Sequence, residues 1–264
     1  MKFADTWSHP PRDLTLSRDE VHVWCTFLQQ SKTQIHRLEQ TLSVEEQIRM
    51  KRFYFQKDRG HFIVARGVLR DILGRYLHRQ PGELNFCYNS YGKPALTPES
   101  GGKILSFNVS HSAGIALYAI TCGRSVGIDV EQVRPEFARD GIAERFFSAE
   151  EIKALRALPE DQKKDAFFNC WTRKEAFIKA TGQGVSFGLE NFSVSLTPHE
   201  PAALLSIKGE SQEDPCWSLK KLPVLPGYKA ALAVEGHGWQ LKKWQWQLSE
   251  HTHEDAGTNI EFDK

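Results

Sequence analysis

Apolar residues alternate along some stretches of the chain and recur every three to four residues along others, and these two periods separate strands from helices. VHVWCTFL, from Val21 to Leu28, alternates and reads as a strand. From Ser43 to Leu77 the helical period takes over for long enough to make two helices, and Ser43 with Glu46 three residues on carries a capping-box signature. ELNFCYNSYGKPAL (Glu83–Leu96) gives a short strand and a Gly-Lys-Pro turn. ILSFNVSHSAGIALYAITCG gives two strands joined around Ser110–Gly114, and RSVGIDVEQV gives another. The helical period returns in ERFFSAEEIKALRAL and DAFFNCWTRKEAFIKATG, followed by strand patterns in FSVSLT, WSLKKLPV and YKAALAVEG. The repeated order of elements predicts an α+β fold of two similar halves, residues 1–123 and 124–248, each a small antiparallel sheet packed with helices. Residues 1–20 read as a loose leader broken at Pro10-Pro11, and the polar run 249–264 as a disordered tail.

Composition narrows the classes. The 264 residues are 40% hydrophobic, enough for one large domain or two small ones. The 34 Lys and Arg residues nearly cancel 33 Asp and Glu, a formal charge of +1, which argues against a nucleic-acid partner while leaving room for a local basic pocket. The five cysteines are scattered and form no C-x-x-C pair, against a disulfide framework or a zinc knuckle and in keeping with a reducing cytoplasm. The opening MKFADTWSHPPRDL lacks an apolar signal core, and no apolar run reaches the roughly 18 residues of a membrane span. The expectation is a soluble cytoplasmic protein with no membrane partner.

Two segments carry candidate chemistry. In VGIDVEQV, Val126, Ile128 and Val130 share one face of the strand, and Gly127, Asp129 and Glu131 the other. At roughly 6 Å and an effective dielectric near 20, the two carboxylates repel by about 3 kcal/mol. The pair is therefore either solvent-exposed or holds a cation, for which oxygen ligands favour a hard divalent ion. In FFNCWTRKEAFIKATGQG, Phe167, Trp171 and Ile178 form the apolar stripe of a helix, and Glu175 and Lys179 lie on its flank beside Phe168. They read either as an i,i+4 surface pair or as part of a metal–phosphate site at the edge of a buried face. SFNVSHSAG puts Ser110 and His111 at a strand-to-turn corner, and YGKP puts Lys93 on a turn where it meets either solvent or an anion. Arg49 on the first helical stretch has the same two readings.

Taken together, VGIDVEQV, RFFSAEEIKAL and FFNCWTRKEAFIKATGQG resemble the 4′-phosphopantetheinyl transferase superfamily. Its pattern is G-[IV]-D-[IV]-E, some forty residues, then W-[ST]-x-K-E-[AS]-x-x-K, matched here by Gly127, Asp129, Glu131, Trp171, Lys174, Glu175 and Lys179. YGKPAL and FNVSHS resemble upstream motifs of the long, surfactin-synthetase-activating branch, and the resemblance covers roughly residues 15–245. It implies a monomeric pseudo-dimer with the active site between its halves. It also implies Mg²⁺-dependent transfer (Mn²⁺ substituting) of the 4′-phosphopantetheine arm of coenzyme A to a serine of an apo acyl or peptidyl carrier protein, releasing adenosine 3′,5′-bisphosphate. By the same resemblance Asp129, Glu131 and Glu175 ligate the metal. Glu175 accepts the serine proton directly or through water, Lys179 holds the pyrophosphate, and Arg49, Lys93, Ser110 and His111 hold coenzyme A, largely through its phosphates. Phe62 stands where some long-branch members have a Thr that touches the coenzyme, with Arg66 nearby. QVRPEFARDGIAERFF is the expected carrier-docking stretch, with Phe137 and Ile142 as apolar anchors among Arg134, Arg139 and Arg145. A carrier-binding module without catalysis, or another Mg²⁺-dependent phosphoryl-transfer enzyme, are the competing classes.

Overall fold

The computed structural model describes residue 3 and residues 6–101, 105–134, 141–209 and 216–248. Phe137, Arg139 and the tail 249–264 lie outside the described residues. The alternating segment near the start is strand β1 (Glu20–Phe27). Three helices follow, α1 (Lys32–Glu39), α2 (Val44–Lys51) and α3 (Gln56–Leu77), then a short hairpin of β2 (Phe86–Tyr88) and β3 (Pro94–Leu96). Next come β4 (Leu105–Ser112), β5 (Ile115–Cys122) and β6 (Val126–Gln132), and then α4 (Ile142–Phe146), α5 (Ala149–Ala157) and α6 (Glu160–Thr181). The chain closes with β7 (Phe192–Val194), β8 (Leu204–Ile207), β9 (Trp217–Lys221), β10 (Tyr228–Glu235) and β11 (Gln240–Gln245).

Alternation decides the layering. Val21, Val23 and Cys25 of β1 point to the same buried layer as Val126, Ile128 and Val130 of β6, so two sheets share an apolar layer between them. One sheet has the order β11-β1-β5-β4 and the other β6-β10-β9. Helix α3 covers the outer face of the first, where Trp24 and Tyr118 join its apolar side. Helix α6 covers the outer face of the second through Phe167, Phe177 and Ala180. The result is a mixed α+β molecule with small, mainly antiparallel sheets packed against helices. The exception is β11, which leaves the second sheet's neighbourhood and pairs in parallel with β1, from Glu20↔Gln240 to Cys25↔Gln245.

The leader is less loose than its polar composition predicts. Phe3, Trp7 and Leu14 are buried, Trp7 Nε1 donates to the Pro223 carbonyl at 2.9 Å, and Ser8 bridges to Trp244. Isolated apolar side chains entering a ready-made layer leave no period in the sequence, which is why the pattern misses them.

The two long helices are built by the same device. Each has 22 residues and ends on a left-handed residue, His78 or Gly182. Each is preceded by a capping-box helix whose Glu bonds back to the cap, Glu46 to Ser43 and Glu151 to Ser148. Each of those glutamates also grips a buried cation on the long helix, Glu46 to Arg70 at 2.7 Å and Glu151 to Lys174 at 2.7 Å. Both cations then donate to carbonyls of the loop that follows, Pro81 and Leu84 for Arg70, Leu189 and Phe192 for Lys174. Aligned end to end, the helices set Arg70 against Lys174, Asp71 against Glu175 and Arg75 against Lys179.

Candidate active site

The site forms where the edge strand of one sheet meets the edge strand of the other. The backbone N–H groups of β6 that face β4 find side chains instead of a partner strand. Ile128 N donates to Asn108 Oδ1 at 2.9 Å, Val130 N to Ser110 Oγ at 3.3 Å and Gln132 N to Ser112 Oγ at 3.2 Å. This seam delivers the carboxylates of β6 beside the serines of β4. Ser110 Oγ donates to Asp129 Oδ1 at 2.9 Å, and Ser112 Oγ to Glu131 Oε2 at 2.8 Å.

Helix α6 supplies the other side. Its approach depends on Gly127, where an added Cβ would stand 2.0 Å from the Ala176 carbonyl oxygen and 2.3 Å from Ala180 N. The backbones of β6 and α6 therefore touch, and Glu175 and Lys179 are brought over Asp129. Lys179 Nζ donates to Asp129 Oδ1 at 2.6 Å and to Ser110 Oγ at 3.1 Å. The rotation of α6 is set by Lys174, fully buried on the Glu151 carboxylate. Neither Lys174 nor Asn108 was among the expected site residues. Lys174 lies in the middle of the Phe167–Ile178 stripe, and a charge there signals a buried partner.

A cavity of 340 Å³ is lined by Ser110, His111, Asp129, Glu131, Trp171, Glu175 and Lys179. A larger one of 1060 Å³ adjoins it, sharing Val109 and His111, and is lined by Arg49, Arg52, Phe53, Phe62, Arg66 and Tyr88 among others. Of the residues singled out from sequence, Ser110, His111, Asp129, Glu131, Glu175 and Lys179 thus share the inner cavity, and Arg49 lies in the outer one, its guanidinium 5.5 Å from the Phe62 ring centre. Arg66 lines the outer cavity too, but is bound to Glu46 and, at 2.5 Å, to the Tyr88 hydroxyl. Lys93 stands apart. Its Nζ donates to the Val126 and Ala180 carbonyls, both at 3.1 Å, and burial pushes its pKa down to about 8. Neighbouring Asn89 donates to the Gly182 carbonyl at 2.8 Å, so the β2–β3 hairpin caps the C-terminus of α6. Ile142 and Phe146 are half-buried against the core under α6, Phe146 edge-on to Trp171.

Negative charge is in excess here. Burial raises the pKa of Glu175, with Asp129 and Glu131 adding to the rise, and burial raises that of Glu131, again with Asp129 adding. Asp129 is 2% exposed and its Oδ2 has no hydrogen-bond partner. Among the described residues, no three His, Cys, Asp or Glu side chains stand together as a ready-made metal cage. The orphan oxygen, the raised carboxylates and the all-oxygen donor set nevertheless fit a hard divalent cation.

A family model described as the 4′-phosphopantetheinyl transferase superfamily matches residues 125–233, and one for the 4′-phosphopantetheinyl transferase N-terminal region matches residues 28–122. The 4′-phosphopantetheinyl transferase HetI of Nostoc sp. is 45% identical over 241 residues, 91% of this chain and 98% of its own. This chain belongs to the 4′-phosphopantetheinyl transferase superfamily. Two Bacillus subtilis 4′-phosphopantetheinyl transferases extend the relationship to the long branch: Sfp, 32% identical over 73% of this chain and 82% of its own, and ffp, 32% identical over 77% and 87%. The phosphopantetheinyl transferase motif G-I-D-V-E is thus part of the seam strand β6, and W-T-R-K-E-A-F-I-K lies in the C-terminal half of α6. Among the described residues, no helix is long and apolar enough to cross a membrane.

Proposed function

We propose that this enzyme moves the 4′-phosphopantetheine arm of coenzyme A onto a serine hydroxyl of an apo acyl or peptidyl carrier protein and releases adenosine 3′,5′-bisphosphate. The observation that carries the reading is one lysine and three carboxylates in a small cavity that opens into a cationic, aromatic-lined cleft. The cleft suits an elongated anion with a planar base, and the inner cavity suits its diphosphate. Asp129, Glu131 and Glu175 would hold Mg²⁺, with Mn²⁺ able to substitute, and the bound ion supplies charge neutralisation and polarisation of the phosphoryl group.

The chain's own side chains do the rest. Arg49, Arg52 and His111 bind the coenzyme along the cleft, with Ser110 at its inner end. Lys93 acts at second hand, by fixing the hairpin that forms one cleft wall. The serine oxygen attacks the β-phosphorus as the bond to the α-phosphate oxygen breaks. Glu175 takes the serine proton directly or through a water. Lys179 stabilises the negative charge that develops on the leaving group. We read the chain as a monomeric pseudo-dimer working in the cytoplasm without nucleic-acid or membrane partners, with Arg134 and Arg145 meeting an acidic carrier.

Mass spectrometry of an apo carrier protein incubated with coenzyme A and Mg²⁺ tests the reading. The expected result is a mass gain of one phosphopantetheine on the carrier, lost on chelation and in Asp129→Ala. An unmodified carrier, or full transfer in metal-free buffer, contradicts it.

A further inference from the structure

Lys179 has a choice of carboxylates and takes the one across the seam. Its ammonium sits on Asp129 Oδ1 of β6, not on Glu175 one turn earlier in its own helix. The bond is further ordered by Ser110 Oγ, which donates to the same Asp129 oxygen and accepts from Lys179. The second Asp129 oxygen, buried and without a partner, is left over. The two partners differ in exposure. The Asp129 side chain is 3% exposed and fixed on a strand, whereas that of Lys179 is 29% exposed and opens to the cavity. One group can leave and the other cannot.

A bare carboxylate at this depth is costly, so the site requires a cation at all times. An ammonium on a flexible four-carbon stem meets that need with one positive charge and can be withdrawn. A divalent ion with oxygen ligands meets it with two, and can use the orphan oxygen as well. We infer that Lys179 is the resident counter-ion of this pocket, holding Asp129 until a divalent cation displaces it, and that this displacement frees the ammonium for the diphosphate of coenzyme A. The inference rests on the transferase reading above. It makes metal binding weak in the absence of coenzyme A. It also makes metal and coenzyme A cooperative beyond their direct contact, because each draws on the same exchange and the coupling is reciprocal.

The experiment is Mn²⁺ binding to the full chain, followed by electron paramagnetic resonance, with and without saturating coenzyme A. Four proteins are compared: the wild type, Lys179→Met, Lys179→Gln and Arg134→Gln. The last removes a positive charge that acts on Glu131 but leaves the Asp129 pair intact. Without coenzyme A, both Lys179 variants are expected to bind Mn²⁺ roughly tenfold more tightly than the wild type. Arg134→Gln is expected to change affinity by less than about threefold. Adding coenzyme A should tighten Mn²⁺ binding more in the wild type than in either Lys179 variant. Equal Mn²⁺ affinity in the wild type and the Lys179 variants, or an equal gain in Arg134→Gln, overturns the counter-ion role while leaving the cation site standing. No Mn²⁺ binding to any of the four, with or without coenzyme A, overturns the cation site and the inference together.

Discussion

Lys174 and Lys179 share a helix and do opposite work. Lys179 faces a cavity and can move, whereas Lys174 is sealed against Glu151 with its remaining hydrogens on the Leu189 and Phe192 carbonyls. Removing one member of such a pair strands the other in the interior, so Lys174→Ala should lose about 3–5 kcal/mol of stability in urea denaturation. The double variant Lys174→Met/Glu151→Leu should recover little of that loss, because Glu151 also accepts from the buried Ser148 and Val194 N–H groups at 2.8 and 2.7 Å, which a leucine would leave unpaired. His22 gives a pH dependence. It is 1% exposed, bonded through Nδ1 to the Tyr76 hydroxyl at 2.7 Å, and burial pushes its pKa down to about 4. The unfolded chain therefore takes up a proton near pH 6.5 that the folded chain refuses, and stability falls as pH drops from 6.5 towards 4, by up to about 3 kcal/mol. His22→Gln should flatten the slope of unfolding free energy over that window, and an unchanged slope would assign the acid sensitivity to other groups. At this scale the sequence was most informative where residue type and helical position agreed, as for Glu175 and Lys179 on the flank of an apolar stripe. It was silent on Lys93, because a turn lysine looks the same whether it meets an anion, water or two distant carbonyls. The placement of Lys174 in the centre of the stripe was a usable sign that went with no visible partner, since Glu151 lies on another helix.

Elements, rather than single residues, decide how close the catalytic groups come. Gly127 lets α6 lie directly on β6, and its neighbours at short range are backbone atoms that cannot rotate away. Gly127→Ala should push the helix off the strand and cost at least about 3 kcal/mol, with transferase activity lost in whatever folded fraction remains. Thermal melts and single-turnover transfer measure the two effects, and a variant of wild-type stability and rate would mean that the contact is not tight in solution. Strands and helices with strong periods were legible in the sequence, including the break between α2 and α3 and the Ser43 capping box. Helix α1 and strands β3, β8 and β11 were not. Strand β11 reads QLKKWQ, with paired lysines where alternation is expected; Gln240 is exposed and the other five residues are partly buried. Its strand character comes from β1, which has an open edge to fill, and Lys242 pairs there with Glu20. A tertiary partner of this kind has no local signature.

At the scale of the molecule, the two copies of the helix device face different surroundings. The position of Asp129 on β6 corresponds to Trp24 on β1, since Val23 and Cys25 flank the latter as Ile128 and Val130 flank the former in the same apolar layer. On α3 the counterpart of Glu175, Asp71, is spent on Arg75 at 2.7 Å and on Trp246 Nε1 at 2.7 Å, and the Arg75 guanidinium lies 5.7 Å from the centre of a Trp24 ring. The place of a cation cavity is taken by aromatic rings. Lys93 in turn ties the β2–β3 hairpin to both β6 and α6. Lys93→Ala should therefore raise KM for coenzyme A severalfold and expose the hairpin to limited proteolysis, while kcat changes little. A fall in kcat matching that of Lys179→Ala, with the hairpin still protected, would place Lys93 at the reacting phosphate instead. The pairing of β11 with β1 has a consequence in time. Translation reaches β11 roughly 200 residues after β1, so at roughly 5–20 residues per second the edge of β1 waits on the order of 10–40 s for its partner. Until then the nascent chain carries an unpaired hydrophobic strand, a hazard that finished sheets avoid. A chain stopped after Gly236 makes that interval permanent, and should be recovered in inclusion bodies or bound to chaperones, whereas the same chain supplied in trans with residues 237–248 should regain solubility.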